Sequence, residues 1–514
     1  MPKPVYVCFH GHFYQPPREN PWLGRIERQP SAAPFHDWNA RIASECYTPN
    51  TVSRILDDRG RIDDIVNNFR YYSFNVGPTL MSWLESSVPM TYRKIIAADA
   101  ESVKRRGGHG NAIAQAYNHC ILPLASPEDR RTQVLWGLEE FRMRYGRTSE
   151  GMWLAETAIN MDTVSELIDQ GVRFTILSPN QAARCRPLGQ KKWVDVGGGN
   201  IDTGRAFRIY DVDTKGKKVK DRYLDVVFFH EGLSRAVSFE NLLHSGERLG
   251  QAVAGARSSD DQPQLILVAT DGETFGHHQS FGDMCMAYFF DREVPRLDMQ
   301  VTNVAEFLEK HPPEWEVELK PGDQGHGTAW SCAHGVGRWY RDCGCSTGGR
   351  HGWNQAWRTP FREGLNKLAE KVDRLFRKEA SALVEDVDAA WDDYIRVIVD
   401  RHEQTLKDYM AEHLALESPE PADRTRLLTL MEMRLNAMLM FTSCAWFFAD
   451  ISGIETVQNM KYAARAIELA RRLTEVDLEP ILLNELARAE SNIERFGTGR
   501  DIYLRWVKPS AYSS

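Results

Sequence analysis

The stretch LILVATDGETFGHHQSFGD, Leu265 to Asp283, decides how the chain is read. Five apolar residues, Leu265 to Ala269, stop at Thr270, and Asp271, Glu273, His277 and His278 follow within eight positions. A short apolar run bounded this way reads as a buried strand. Charged groups beside a core are costly unless paired or used. Strands that end in polar clusters and alternate with helices belong to parallel sheets, where function gathers at the carboxyl ends.

The same texture extends upstream. VYVCF opens a strand that ends in His10 and His12, and FRYYSFNVGP gives another around Tyr72 to Asn75. GNAIAQAYNHCILPL is strand-like and closes in polar groups. SEGMWLAE reads as strand into loop. MDTVSELIDQGVRFTILSPNQ is a helix, a stop at Gly171 and a strand. DRYLDVVFFHEGLS and QLILVATDGE are strands, and SFENLLHSGERLGQAVAGA and TQVLWGLEEFRMRYG are helices. TVSRILDDRGRIDDIVNNF has helical spacing. The basic insert TKGKKVKDR is a solvated hairpin or loop, and Gly197 to Gly199 form a turn without phosphate-loop spacing. The α/β alternation predicts a parallel sheet with helical crossovers over residues 1–312. Residues 313–360 form a Gly-, Cys- and Trp-rich connecting segment that contributes to the cleft. Residues 361–514 carry about five helices, a mostly α-helical C-terminal domain.

A net charge of -8 argues against nucleic acid as partner, since phosphate binding needs a basic surface. No apolar run reaches the roughly 18 residues of a membrane span. The start MPKPVYVCFHGHFYQ lacks the features of an export signal. The odd count of 9 cysteines then fits a reducing cytoplasm better than a disulfide framework. The 14 tryptophans are partly set among Gly and His, which admits stacking on sugar rings as well as core packing.

The candidate chemistry follows from these placements. Glu156, after Met152-Trp153-Leu154, and Asp271 are strand-end acids, either structural caps and ion-pair partners or a pair that can cleave a glycosidic bond. His10, His12, His119, His277 and His278 are sugar or metal ligands or buried hydrogen-bonded imidazoles, with His10 and His12 expected to face apart while their strand lasts. Cys332, Cys343, Cys345 and His334 lack the usual zinc spacing, so free thiols and no metal are expected.

These residues resemble glycoside hydrolase family 57, in the branch with a DUF3536-type helical C-terminal domain. FHGHFYQPPREN is similar to the family's first motif, AQAYNHCILPL to the second, EGMWLAETA to the third and LVATDGETFGHH to the fourth. AWSCAHGVGRWYRDCGCSTGGRHGWNQAWR and FTSCAWFFADISGIETVQNMKYAARAI resemble the C-terminal part of that branch. The resemblance implies an incomplete parallel (β/α)7 barrel followed by helices, and a retaining enzyme acting on alpha-glucans or malto-oligosaccharides with no cofactor. Glu156 is then the nucleophile and Asp271 the acid/base. Candidate substrate contacts are His10, His12, Gln15, His119, Glu273, His277 and His278, with Trp153, Trp330, Trp353 and Trp446 for stacking and Arg338 and Asp450 from the helical part. Phe13 and Tyr14 separate His12 from Gln15, a departure from the first motif. His230 and Glu231, also candidate substrate contacts, stand where several members carry an Arg-Asp pair. The ending RDIYLRWVKPSAYSS suggests a short form. Alternatives are a 4-alpha-glucanotransferase or branching enzyme, a metal-dependent deacetylase-like hydrolase through His10, His12 and Asp271, or a non-catalytic glucan-binding protein.

Overall fold

A series of parallel strands carries the first part of the chain: β1 (Val5–Phe13), β2 (Ser73–Val76), β3 (Ala114–Gln115), β4 (Met152–Trp153), β5 (Phe174–Leu177), β6 (Lys218–Phe228) and β7 (Gln264–Asp271). This computed structural model describes residues 4–259, 262–416 and 420–511; the last three residues of RDIYLRWVKPSAYSS lie outside them. Full ladders join β7 to β1, β1 to β2, β3 to β4 and β5 to β6, all parallel. Single bridges, Phe74 to Ala112 and Gly151 to Phe174, link the remaining neighbours. Between β6 and β7 no ladder forms among the described residues. The His230 N–H donates to the Leu267 carbonyl at 2.7 Å instead. The barrel is therefore incomplete, as the resemblance implied.

Alternation sets which side chains face inward. Tyr6 and Cys8 of β1, Phe174 and Ile176 of β5, Val227 of β6, and Leu265, Leu267 and Ala269 of β7 share one apolar cluster with Trp153. The opposite face of β1 packs outward, where Phe9 meets Phe289 and Phe290 at ring distances of 5.3 and 5.8 Å. Each inward series continues past the cluster into polar residues: His10 and His12 on β1, Asp271 on β7.

Two local expectations change. TVSRILDDRGRIDDIVNNF is an antiparallel hairpin, Ser53–Leu56 against Ile62–Val66. Its DDRG centre favours a turn: the Asp57 carboxylate accepts the N–H groups of Arg59 and Arg61, and Gly60 takes φ +73°. SFENLLHSGERLGQAVAGA is not one helix. Left-handed Asn241 ends the stretch after Glu231–Phe239, and Ser245 caps a new helix, Gly246–Gly255, through the Arg248 N–H. The TKGKKVKDR stretch links antiparallel strands, Ala206–Val212 and β6, as a hairpin.

The chain packs as two units. One comprises Met1–Gln15, Arg28–Tyr117 and Phe141–Ser331; the other Pro16–Glu27, Asn118–Glu140 and Cys332–Ser514. The second is helical. α1 (Arg358–Ala380) packs against α2 (Pro421–Leu439), α3 (Ile454–Leu473) and α4 (Glu479–Leu486). Phe361, Leu365, Leu368, Val372 and Phe376 recur at helical spacing along α1 and are all buried. Among the described residues no helix is long and apolar enough to cross a membrane.

Candidate active site

Register brings the strand-end polar residues together. His12 of β1 pairs with Asp271 of β7 on one side and with Asn75 of β2 on the other. Gln115 of β3 pairs with Trp153 of β4. Side chains then connect across the strands. The Asn75 amide nitrogen donates to Gln115 Oε1 at 2.7 Å and lies 2.9 Å from His12 Nδ1. His10 Nδ1 and Nε2 bond Ser73 Oγ at 3.0 Å and Asn75 Oδ1 at 3.1 Å. Both imidazoles stack on Trp153, at 4.8 and 5.2 Å. His10 and His12 therefore face the same way, against the sequence expectation: β1 persists to Phe13, and residues two apart on a strand share a face.

Glu156 is placed by an unusual turn. After β4 the chain enters a short 3-10 turn in which Glu156 takes φ 57° and Thr157 φ 52°. Two consecutive left-handed residues without glycine are strained, and persist only where their surroundings fix them. Here a loop does so. Ile159 and Thr328 exchange backbone hydrogen bonds of 3.0 and 3.1 Å, and the Trp330 N–H reaches the Glu156 carbonyl at 3.0 Å. The same loop addresses the carboxylate: Trp330 Nε1 donates to Glu156 Oε2 at 3.0 Å and Ser331 Oγ at 2.5 Å.

Asp271 is an exposed residue, yet its carboxyl is desolvated by the protein around it. Desolvation first, then the charges of Glu156 and Glu273, push it up to about 8. The influence of Glu156 means that the two acids, 115 positions apart, meet in one field. Glu273 accepts hydrogen bonds from Gln15 Nε2 and, at 3.3 Å, from Tyr47 OH. His277 pairs with Glu45, and His278 lies 3.9 Å from Glu273. Two carboxyl groups in such different surroundings can pair a nucleophile with a proton donor.

The other candidates divide. His10 is fully buried, and desolvation lowers it to about 3, so it is a neutral scaffold group. Trp153 is fully buried under the two histidines and presents no face to a sugar. His230 caps the helix Glu231–Phe239, accepting the Leu233 N–H at 3.1 Å, and Glu231 accepts from Asn180 at 2.7 Å. Five candidates belong to the helical unit. His119 is buried against Ser443 Oγ at 2.7 Å and lowered to about 3 by desolvation. Trp446 is fully buried against Phe361. Arg338 donates to the Phe447 carbonyl and Thr347. Asp450 accepts from Ser452, Ser491 and the Asn492 N–H. Trp353 is half-buried beside Arg350. Asn75, Gln115 and Ser331 were not among the candidates. The first two carry the strand-end signal that singled out Asp271.

A model of glycosyl hydrolase family 57 matches residues 36–320, and one of a domain of unknown function (DUF3536) matches residues 353–514. The fold is similar to that of an exo-type maltose-forming amylase from Pyrococcus sp. ST04, with TM-score 0.69, 15% identity, and 97% of this chain and 88% of that one covered. A 4-alpha-glucanotransferase from Thermococcus litoralis gives TM-score 0.53, 14% identity, and 92% and 60% coverage. A GH57-type branching enzyme from Pyrococcus horikoshii gives 0.53, 11%, and 95% and 89%. At these identities the likeness concerns the fold. Comparison with curated proteins gives no match. The family match spans more than half the sequence and includes Glu156 and Asp271, and the chain belongs to glycosyl hydrolase family 57: it is a glycoside hydrolase.

Proposed function

We propose that this glycoside hydrolase cleaves alpha-glucosidic bonds with retention of configuration, Glu156 acting as nucleophile and Asp271 as acid and then base. One observation carries the reading: desolvation and then the charge of Glu156 raise the Asp271 carboxyl, so the two acids act on each other and the protonated form of Asp271 is favoured. In the first step the Glu156 carboxylate attacks the anomeric carbon. The Asp271 proton passes to the leaving glycosidic oxygen. The ester formed on Glu156 carries no charge, so one of the two charges that raise Asp271 is gone. Its affinity for a proton drops at the step where it must take one from the acceptor. Water then yields a free sugar; a sugar hydroxyl yields transfer. The alpha-glucan substrate is supported by the amylase, glucanotransferase and branching enzyme among the similar folds.

Incubation with maltoheptaose, followed by chromatography and proton NMR, tests this. The alpha-anomer is expected to appear first. Short reducing products mean hydrolysis, longer chains mean disproportionation, and new alpha-1,6 branches mean branching. Glu156→Gln is expected to lower kcat by at least about 10³-fold, because the nucleophile acts only in the transition state. Initial release of the beta-anomer, or near-normal turnover by Glu156→Gln, sinks the proposal.

A further inference from the structure

The segment between the strand Trp315–Leu319 and α1 holds little regular structure. Among the described residues its helical elements are three-residue 3-10 turns, Asp323–Gly325 and Gly337–Trp339. Within it the chain folds back so that Cys332, His334, Cys343 and Cys345 converge, their ligand atoms all within 4.8 Å of one another. Cys332 Sγ lies 3.8 Å from Cys343 Sγ and 3.9 Å from Cys345 Sγ, and Cys345 Sγ lies 3.4 Å from His334 Nδ1.

These spacings match the edges of a tetrahedron around one ion. Zn–S bonds of about 2.3 Å put two thiolates roughly 3.8 Å apart, and a Zn–N bond of about 2.0–2.1 Å puts sulfur and nitrogen roughly 3.6 Å apart. Bonded sulfurs would be about 2.05 Å apart, and all 9 cysteines are free. A disulfide would also strand the third thiol and the imidazole. We propose that Cys332, Cys343, Cys345 and His334 Nδ1 bind one structural zinc ion.

The surroundings suit that charge. The backbone N–H groups of His334 and Arg338 point to the Cys332 sulfur, and that of Cys345 to the Cys343 sulfur. Such donors orient and stabilise thiolate ligands. Zn²⁺ with three thiolates and a neutral imidazole carries one net negative charge. Arg358 is fully buried, interacts electrostatically with Cys332 and Cys343, and donates to the Cys345 carbonyl at 2.6 Å. The short C-x-H and C-x-C spacings become possible because Gly335 and Gly344 take φ +76° and +79°, turning the chain beside each ligand pair. Four protein ligands leave no open coordination position, which marks a structural rather than a catalytic ion. Soft thiolates select zinc over magnesium or calcium. The ion would cross-link a segment that has little helix or sheet to hold it.

The test measures metal in the full chain, purified under reducing conditions without a metal-affinity step. Mass spectrometry of the digested protein is expected to find about one zinc per chain, and Co²⁺ exchange to give the absorption of tetrahedral cobalt thiolate. Cys343→Ser and Cys345→Ser should each lower zinc content about tenfold or more, because loss of one ligand breaks a closed site. Cys444→Ser, outside the cluster, should retain it. If the cluster variants fail to fold, the wild-type chain decides. Zinc removal by chelator should expose three additional thiols to a thiol reagent, and zinc return should protect them. Trace metal in the wild type with thiol reactivity unmoved by zinc overturns the assignment. So does a Cys332–Cys343 or Cys332–Cys345 cross-link in a non-reducing peptide map, or full zinc retention by both cluster variants.

Discussion

At the level of single residues, the raised carboxyl of Asp271 makes the pH profile informative. An acid with a raised pKa donates only while protonated, so kcat/KM should fall as pH rises through about 8. Glu273 is one of the charges that raise Asp271. Glu273→Gln removes that charge, so the acid ionises earlier and the alkaline limb should move to lower pH. A pH series on maltoheptaose with both proteins checks the sign; a limb that stays or moves upward refutes the coupling. Ser331 offers a second test. Its hydroxyl donates to Glu156 Oε2 at 2.5 Å beside the indole N–H of Trp330. Hydrogen bonds to charged groups are worth roughly 1.5–3 kcal/mol, so Ser331→Ala should lower kcat/KM by about 10- to 100-fold. Steady-state kinetics would show this, and an unchanged value would mean that the contact does nothing for turnover.

The elements explain why those residues stand where they do. Glu156 and Thr157 keep left-handed backbones because the loop carrying Thr328, Trp330 and Ser331 is clamped onto Ile159. Gly327 makes that approach possible: it takes φ +80°, and a Cβ there would lie 2.0 Å from the Ile159 carbonyl oxygen. Gly327→Ala should push the loop outward and cost activity on the order of 10²-fold, since misplacement of about 1 Å has that effect, while circular dichroism stays near wild type. Full activity would show that the loop tolerates the shift. That β1 and β7 are buried strands ending in polar residues was legible in the sequence, but the shared facing of His10 and His12 was not, because uninterrupted apolar runs do not mark which face is inward. The hairpin Ser53–Leu56/Ile62–Val66 was not. Its apolar residues fit a helical spacing equally well, and the Asp57 turn decides the matter through hydrogen bonds that periodicity ignores. The burial of Trp153 and the saturation of Asp450 were equally hidden: a sequence shows which side chains can bind sugar but not which are already engaged.

Across the whole molecule, chain order and packing diverge. The helical unit is not the C-terminal stretch alone; it includes residues 16–27 and 118–140. Trp136 from the latter is fully buried, its ring centroid 4.6 Å from that of Trp391, and its Nε1 donates to the Asp392 carbonyl at 2.9 Å. Trp391 Nε1 in turn donates to Thr132 Oγ1 at 3.0 Å. Removing one buried indole leaves a cavity and an unpaired acceptor, so Trp136→Ala should destabilise the protein by about 3–5 kcal/mol. For the same reason a fragment of residues 332–514 should not fold on its own. It lacks Trp136 and Thr132, so Trp391 would lose the ring packed against it and expose part of its indole to water. Urea titration of the variant, and of the fragment alone and with a synthetic 118–140 peptide, distinguishes the outcomes. The fragment should show no cooperative transition by itself and should gain one when the peptide is added. A sharp transition in the isolated fragment, with unchanged midpoint in Trp136→Ala, would mean that the helices carry their core without the 118–140 segment.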